Sequence, residues 1–218
     1  MARSNFDAVL KSEFREEGGY VDHKADPGGA THMGVTFAVL QEWRGHPITK
    51  ADVKALTKAE ASLIYEARYW NVIKGDSLPA GVDLMVMDGA VNSGPSQSAK
   101  WLQRAVGVSA DGKIGPTTLA AVFKANPVEL INGIYEQRLA FLKKLKTWPT
   151  FGKGWQGRVD RVRKEALEMA KYLPSITPPD APIVIEPMPE APNRSIVPWI
   201  IGIVIIAAIA FFVTQVRF

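Results

Sequence analysis

The chain has 218 residues, 47% of them hydrophobic and 22% charged, which allows one cored domain of about 170 residues plus an appendage. It contains no cysteine, excluding a disulfide framework, a thiolate nucleophile and cysteine-based zinc sites, and its three histidines (His23, His32, His46) lack metal-ligand spacing. Net charge is only +4, but residues 143–171 carry nine Lys/Arg against three Asp/Glu, a face suited to a polyanion or simply to solvent; no nucleic-acid motif accompanies it.

The N-terminus, MARSNFDAVLK, lacks the apolar core of a secretory signal peptide. Ser4-x-x-Asp7 reads as a capping box opening a helix with Phe6, Val9, Leu10 and Phe14 as its apolar positions. On a helical wheel the apolar stripe centres at about 15° and Glu17 falls at about 20°, with Glu13 beside it at about 340° and Glu16 on the solvent side at about 280°. Glu17 is therefore expected to point inward at the last turn. There, partial burial and the orphan carbonyls of the helix end both favour a protonated carboxyl, the state a general acid requires. A frayed, solvated helix end is the alternative, and Glu13 is the internal competitor.

Gly18-Gly19 then breaks the helix, and Asp26-Pro27-Gly28-Gly29 is turn chemistry. Asp26 is placed to remain ionised in a polar turn, so that Glu17 and Asp26 form the unequal carboxylate pair of glycoside hydrolysis. Thr31 carries a hydroxyl able to orient a water. Asp26 capping its own turn is the competing reading. Short strands fit between residues 19 and 36.

Further helices are expected over residues 57–70, 96–106, 116–125 and 127–145, with Gly115-Pro116 opening one of them, and residues 79–91 form a strongly apolar segment. The last helix presents Trp155, Val159, Val162, Ala166, Met169 and Leu173 at alternating spacings of four and three, a core stripe. Residues 174–193 hold seven prolines and read as an extended spacer. Residues 196–213 run 18 positions without a charge, between Arg194 and Arg217, with Trp199 suited to an interface. That is long enough for a single transmembrane anchor.

The segment EGGYVDHKADPGGATHMGVT resembles the signature of the glycoside hydrolase family 108 muramidases: EGGY, then D-P-G-G-A-T, then G-[IV]-T. YWNVIKGDSLPAGVDLMVMDGAVNSG and AKWLQRAVGVSADGKIGPTTLAAV resemble the peptidoglycan-binding domain that accompanies that family. Together the matches cover roughly residues 5–170. The resemblance implies a mainly α fold, a lysozyme-like α+β head with little or no β-sheet. The chain is then expected to divide into a catalytic lobe (residues 1–75) and a helical peptidoglycan-binding lobe (76–173), followed by a proline-rich linker (174–195) and a transmembrane helix (196–216) that depart from the family's pattern.

The implied activity is cleavage of the β-1,4 bond between N-acetylmuramic acid and N-acetylglucosamine, with no metal and no cofactor. The family's catalytic glutamate carries over as Glu17. Asp26 and Thr31 are similar to the remaining members of the Glu/Asp/Thr triad of phage-type lysozymes, with the threonine one residue closer. Tyr20, Trp70 and Trp101 offer flat faces for pyranose rings, with a core position the competing reading for each and the stronger one for Trp101, and Asp88, Asn92 and Gln103 offer polar groups for sugar hydroxyls. The expected partners are peptidoglycan strands and the bacterial inner membrane, with a holin or secretion apparatus giving the head access to the periplasm; a phage endolysin and a secretion-associated muramidase both fit. A non-catalytic wall tether and a lytic transglycosylase are the alternative functions.

Overall fold

The computed structural model describes residues 5–22 and 29–172. Asp26, Leu173, the proline-rich spacer and the apolar run at 196–213 lie outside them, as does Ser4 of the expected capping box. Among the described residues no helix is long and apolar enough to cross a membrane.

The architecture is mainly helical: α1 (Phe6–Glu17), a hairpin of β1 (Thr31–His32) and β2 (Val35–Thr36), then α2 (Phe37–Arg44), α3 (Lys50–Lys54) and α4 (Lys58–Tyr65). A π-helical turn (Glu66–Trp70) and a 3₁₀ turn (Gly75–Ser77) lead to α5 (Val82–Ser93), α6 (Pro95–Ala105), α7 (Pro116–Lys124), α8 (Pro127–Leu142) and α9 (Trp148–Tyr172). The sheet is antiparallel, with Thr31 opposite Thr36 and His32 opposite Val35, and Val21 bridges to the outer side of Thr31.

Local chemistry sets most boundaries. Thr36, Thr49 and Thr57 each accept a backbone N–H at a helix start, and Thr49 with Asp52 makes a full capping box. Pro95, Pro116 and Pro127 occupy first turns, where the missing N–H costs nothing. The start of α1 differs from expectation. Asn5 is its N-cap and makes no capping bond; its Nδ2 instead donates to Asp83 Oδ2 at 2.9 Å, tying α1 to the start of α5.

Helix α5 is the axis of the fold. Every residue from Val82 to Val91 is buried, Asp83 and Asp88 included, which is the pattern of a helix enclosed on all sides. It packs against α1, α6, α8, α9 and the π-helical turn. One core cluster runs from Phe6 to Ala166 and so crosses the 75/76 join expected from sequence. Gly81 permits this closeness: its φ is +82°, and an added Cβ would collide with the Ala166 carbonyl of α9.

Candidate active site

Glu17 is the last residue of α1, and Gly18, at φ +71°, turns the chain away behind it. Helical periodicity puts Glu13 one turn earlier on the same inward face. The hairpin closes over this end of the helix. Met33 and Gly34 both have positive φ (+50° and +74°), the signature of a tight type I′ hairpin turn. Tyr65 Oη donates to the Met33 carbonyl at 3.1 Å and fixes that turn in place. An added Cβ on Gly34 would collide with Tyr65 Oη and sit 3.0 Å from Glu17 Oε2, so the hairpin tip, the tyrosine and the glutamate meet at one point.

Beneath them lies a buried charge cluster assembled from four helices. Arg158 of α9 donates from Nη1 to Glu17 Oε1 at 2.6 Å, from Nη2 to Glu13 Oε2 at 3.1 Å and from Nε to Asp88 Oδ1 at 2.7 Å. Arg138 of α8 donates from Nη1 to the second Asp88 oxygen. The side chains of Glu13 and Asp88 are 1% and 0% exposed, that of Glu17 9%. Burial, reinforced by the negative charge of Asp88, drives the Glu13 carboxyl well above the ordinary range, against the pull of Arg158. Burial acts on Asp88 in the same sense, but Arg138 and Arg158 outweigh it and hold that carboxyl below its ordinary value. Burial, with Glu17 and Glu13 nearby, raises the Tyr65 phenol and keeps it a neutral donor.

The residues expected to line a sugar site separate into two groups. Glu17, Thr31 and Tyr20 lie at the α1–hairpin end. Thr31 is buried in β1, exchanging backbone hydrogen bonds with Val21 at 2.8 Å, and its hydroxyl reaches the Gly29 carbonyl at 3.5 Å. Tyr20 is half-buried, edge-on to His32 and beneath the Lys54 ammonium. Asn92 is half-buried in the last turn of α5.

Trp70, Trp101, Asp88 and Gln103 are internal. Trp70 packs on Phe6, covers Gly75 and donates to Asp76 Oδ1 at 3.0 Å. Trp101 is buried against Phe141. Asp88 gives both oxygens to arginines. Gln103 donates to Asp111 Oδ1 (2.7 Å), the Lys113 carbonyl (3.0 Å) and Thr118 Oγ1 (3.2 Å), and accepts from the Gly112 N–H at 2.8 Å. Gln103 and Asp111 of the W-L-Q…D-G-x-I-G-P-T block thus bind one another and hold the α6–α7 loop.

Arg138 and Arg158 are what sequence reasoning missed. Arg158 counted there as one charge of a basic, solvated face. Its signal is weak but readable: it precedes Val159 in the core stripe of α9, so it borders the buried face.

Comparison with known proteins places both segments that build this cluster in sequence families. Residues 10–94 match the sequence profile of the family described as glycosyl hydrolase 108, and residues 97–160 match that of a predicted peptidoglycan domain. A solved structure, Brucella abortus SagA, is 52% identical, with a TM-score of 0.71 over 77% of this chain and 96% of SagA. The chain belongs to the glycosyl hydrolase 108 family. No curated protein matches it. Within this glycosyl hydrolase 108 chain the two profile matches meet between α5 and α6, yet the charge cluster draws Glu13, Glu17 and Asp88 from the first segment and Arg138 and Arg158 from the second.

Proposed function

We propose that this glycosyl hydrolase 108 chain is an N-acetylmuramidase that cleaves the β-1,4 bond between N-acetylmuramic acid and N-acetylglucosamine in peptidoglycan. Glu17 is the general acid: it gives its proton to the glycosidic oxygen as the sugar–oxygen bond breaks, and water completes the hydrolysis. Asp26, outside the described residues, directs that water. The observation that carries the assignment is exposure. Of the three carboxylates gathered on Arg158, Glu17 has the most exposed side chain, 9% against 1% for Glu13 and 0% for Asp88, and it stands at the open end of its helix.

The peptidoglycan domain match at residues 97–160 supports the polymer as substrate. In this reading the apolar run at 196–213 anchors the chain in the bacterial inner membrane, with the head acting on periplasmic peptidoglycan.

The test is release of reducing ends from purified sacculi by the full-length chain, wild type against Glu17→Gln. Loss of at least about 100-fold is expected for removal of a general acid. Equal release by both proteins discards the assignment. Wild-type products ending in 1,6-anhydro sugar assign a lytic transglycosylase instead, and binding without any release assigns a wall tether.

A further inference from the structure

The charge cluster is unbalanced. Among the described residues it brings three carboxyls (Glu13, Glu17, Asp88) onto two guanidinium groups (Arg138, Arg158) in a nearly dry interior. Two cations neutralise two carboxylates; the third carboxyl is electrically balanced only with a proton on it. The geometry at Asp88 disfavours a proton there, since both its oxygens accept from arginines. Glu13 and Glu17 remain. They are one helical turn apart and accept from the two terminal nitrogens of the same guanidinium.

We infer that Glu13 and Glu17 share one proton across Arg158, so that Glu13 is a positioning residue that sets the pH range over which Glu17 can act as an acid. The inference rests on Glu17 being the acid of the proposed hydrolysis. Two further observations support it. Glu13 Oε1 is buried without a hydrogen-bond partner and Oε2 has a single 3.1 Å bond, poor solvation for a full negative charge. Burial and the neighbouring carboxylates also push the Glu13 proton affinity strongly upward.

The groups facing the pair from the packed elements are Asp88 on α5, Arg138 on α8, Arg158 on α9, and Tyr65 and Tyr69 from α4 and the π-helical turn, both phenols raised by burial. Two carboxyls that repel each other across one cation lose their protons in two well-separated steps that belong to the pair. Between the steps one proton is held, and the fraction on Glu17 is the working form. When that proton passes to the leaving oxygen the pair is left doubly ionised. The attacking water, on bonding to the sugar carbon, releases the proton that restores the resting charge.

The experiment is the pH–rate profile of the full-length chain on purified sacculi, wild type against Glu13→Gln, together with ¹³C-carboxyl NMR titration of glutamate-labelled wild type. Glu13→Gln removes the second carboxyl, so Glu17 loses its proton at lower pH and the basic limb moves down by roughly one pH unit or more. A limb that stays in place, or a profile lowered evenly at every pH, overturns the inference. If Glu13→Gln does not fold, the wild-type titration decides: coupled, two-step curves for both glutamates support the shared proton, and independent single steps overturn it. The titration also separates this inference from the assignment of the acid. Coupled titration with an active Glu17→Gln enzyme leaves the shared proton standing and removes Glu17 from catalysis.

Discussion

Arg158 Nη1 lies 2.6 Å from Glu17 Oε1, joining the end of the first helix to the last across 141 residues of chain. The same guanidinium reaches Glu13 and Asp88, so a single side chain of the second family segment organises three acids of the first. The two segments therefore share one core and one buried charge cluster. What holds the candidate acid in place is supplied by a helix whose profile match is to peptidoglycan binding.

Removing that side chain leaves three acids with one remaining cation. Arg158→Ala is expected to lose about 3–5 kcal/mol, the usual cost of breaking one side of a buried ion pair. Arg158→Lys keeps the charge but cannot form three simultaneous bonds with forked geometry, and should recover only part of that loss. Urea unfolding of the two variants at pH 7 checks both. A fragment ending at residue 94 lacks both arginines and the α8 and α9 walls of the core, and its circular dichroism should show little ordered helix.

Gly34 is a second point where fold and site coincide. Gly34→Ala combines about 1–2 kcal/mol of left-handed backbone cost with a collision against Tyr65 Oη beside Glu17. Gly45→Ala provides the control, because Gly45 has φ +71° and nothing within 4 Å of an added Cβ. The control should lose stability without losing sacculus hydrolysis, whereas Gly34→Ala should lose both. Adding Tyr65→Phe to Gly34→Ala removes the colliding hydroxyl and should restore part of the activity.

Helical periodicity alone was enough to place Glu13 and Glu17 on the inward face of α1, and glycine and proline punctuation located the breaks at Gly18 and before α7. Those signals are local. The cations opposite Glu13, Glu17 and Asp88 come from tertiary packing, which no wheel reports. Asp88 and Trp70 read as sugar-facing because polar and aromatic residues near a recognised motif invite that reading. Yet α5 is enclosed on every side, and a polar residue on such a helix must find an internal partner. Gln103 was misread for a related reason: its partners are one loop away, and a loop staple carries the same residue types as a binding site. The short helices α2 and α3 escaped notice because eight residues or fewer give periodicity little length to register.

Asp83 gives the fold a measurable pH dependence. Burial raises its carboxyl from 3.8 to about 6, although Asn5 Nδ2 and the Gly81 and Leu84 N–H groups all donate to it. An acid that binds its proton more tightly when folded contributes stability that is complete below its unfolded value and is lost as pH rises through the folded one. At about 1.4 kcal/mol per pH unit, up to about 3 kcal/mol is at stake across that window. Asp83→Asn removes the titration while Asn5 turns its amide to match. Relative to wild type, the variant should gain stability as pH rises from 4 to 7. Taking the difference between the two proteins cancels the opposing contributions of Glu13 and Asp88, and urea midpoints across the range measure it.

Gln103 separates a structural from a ligand-binding role by which quantity moves. If its amide addressed sugar hydroxyls, Gln103→Leu would weaken sacculus affinity and leave unfolding unchanged. The structure commits every polar atom of that side chain to the α6–α7 loop, and leucine would strip partners from Asp111, the Lys113 carbonyl and the Gly112 N–H together. A loss of about 2–3 kcal/mol is expected from groups left without hydrogen bonds in a partly buried loop. The thermal midpoint should fall accordingly, with sacculus binding intact at temperatures where the variant is still folded. Gln103→Glu tests the polarity of the arrangement. It keeps the oxygen that accepts from Gly112 but replaces the donating nitrogen with an acceptor facing Asp111, so it should destabilise near neutral pH and recover as pH falls and one of the two carboxyls takes up a proton.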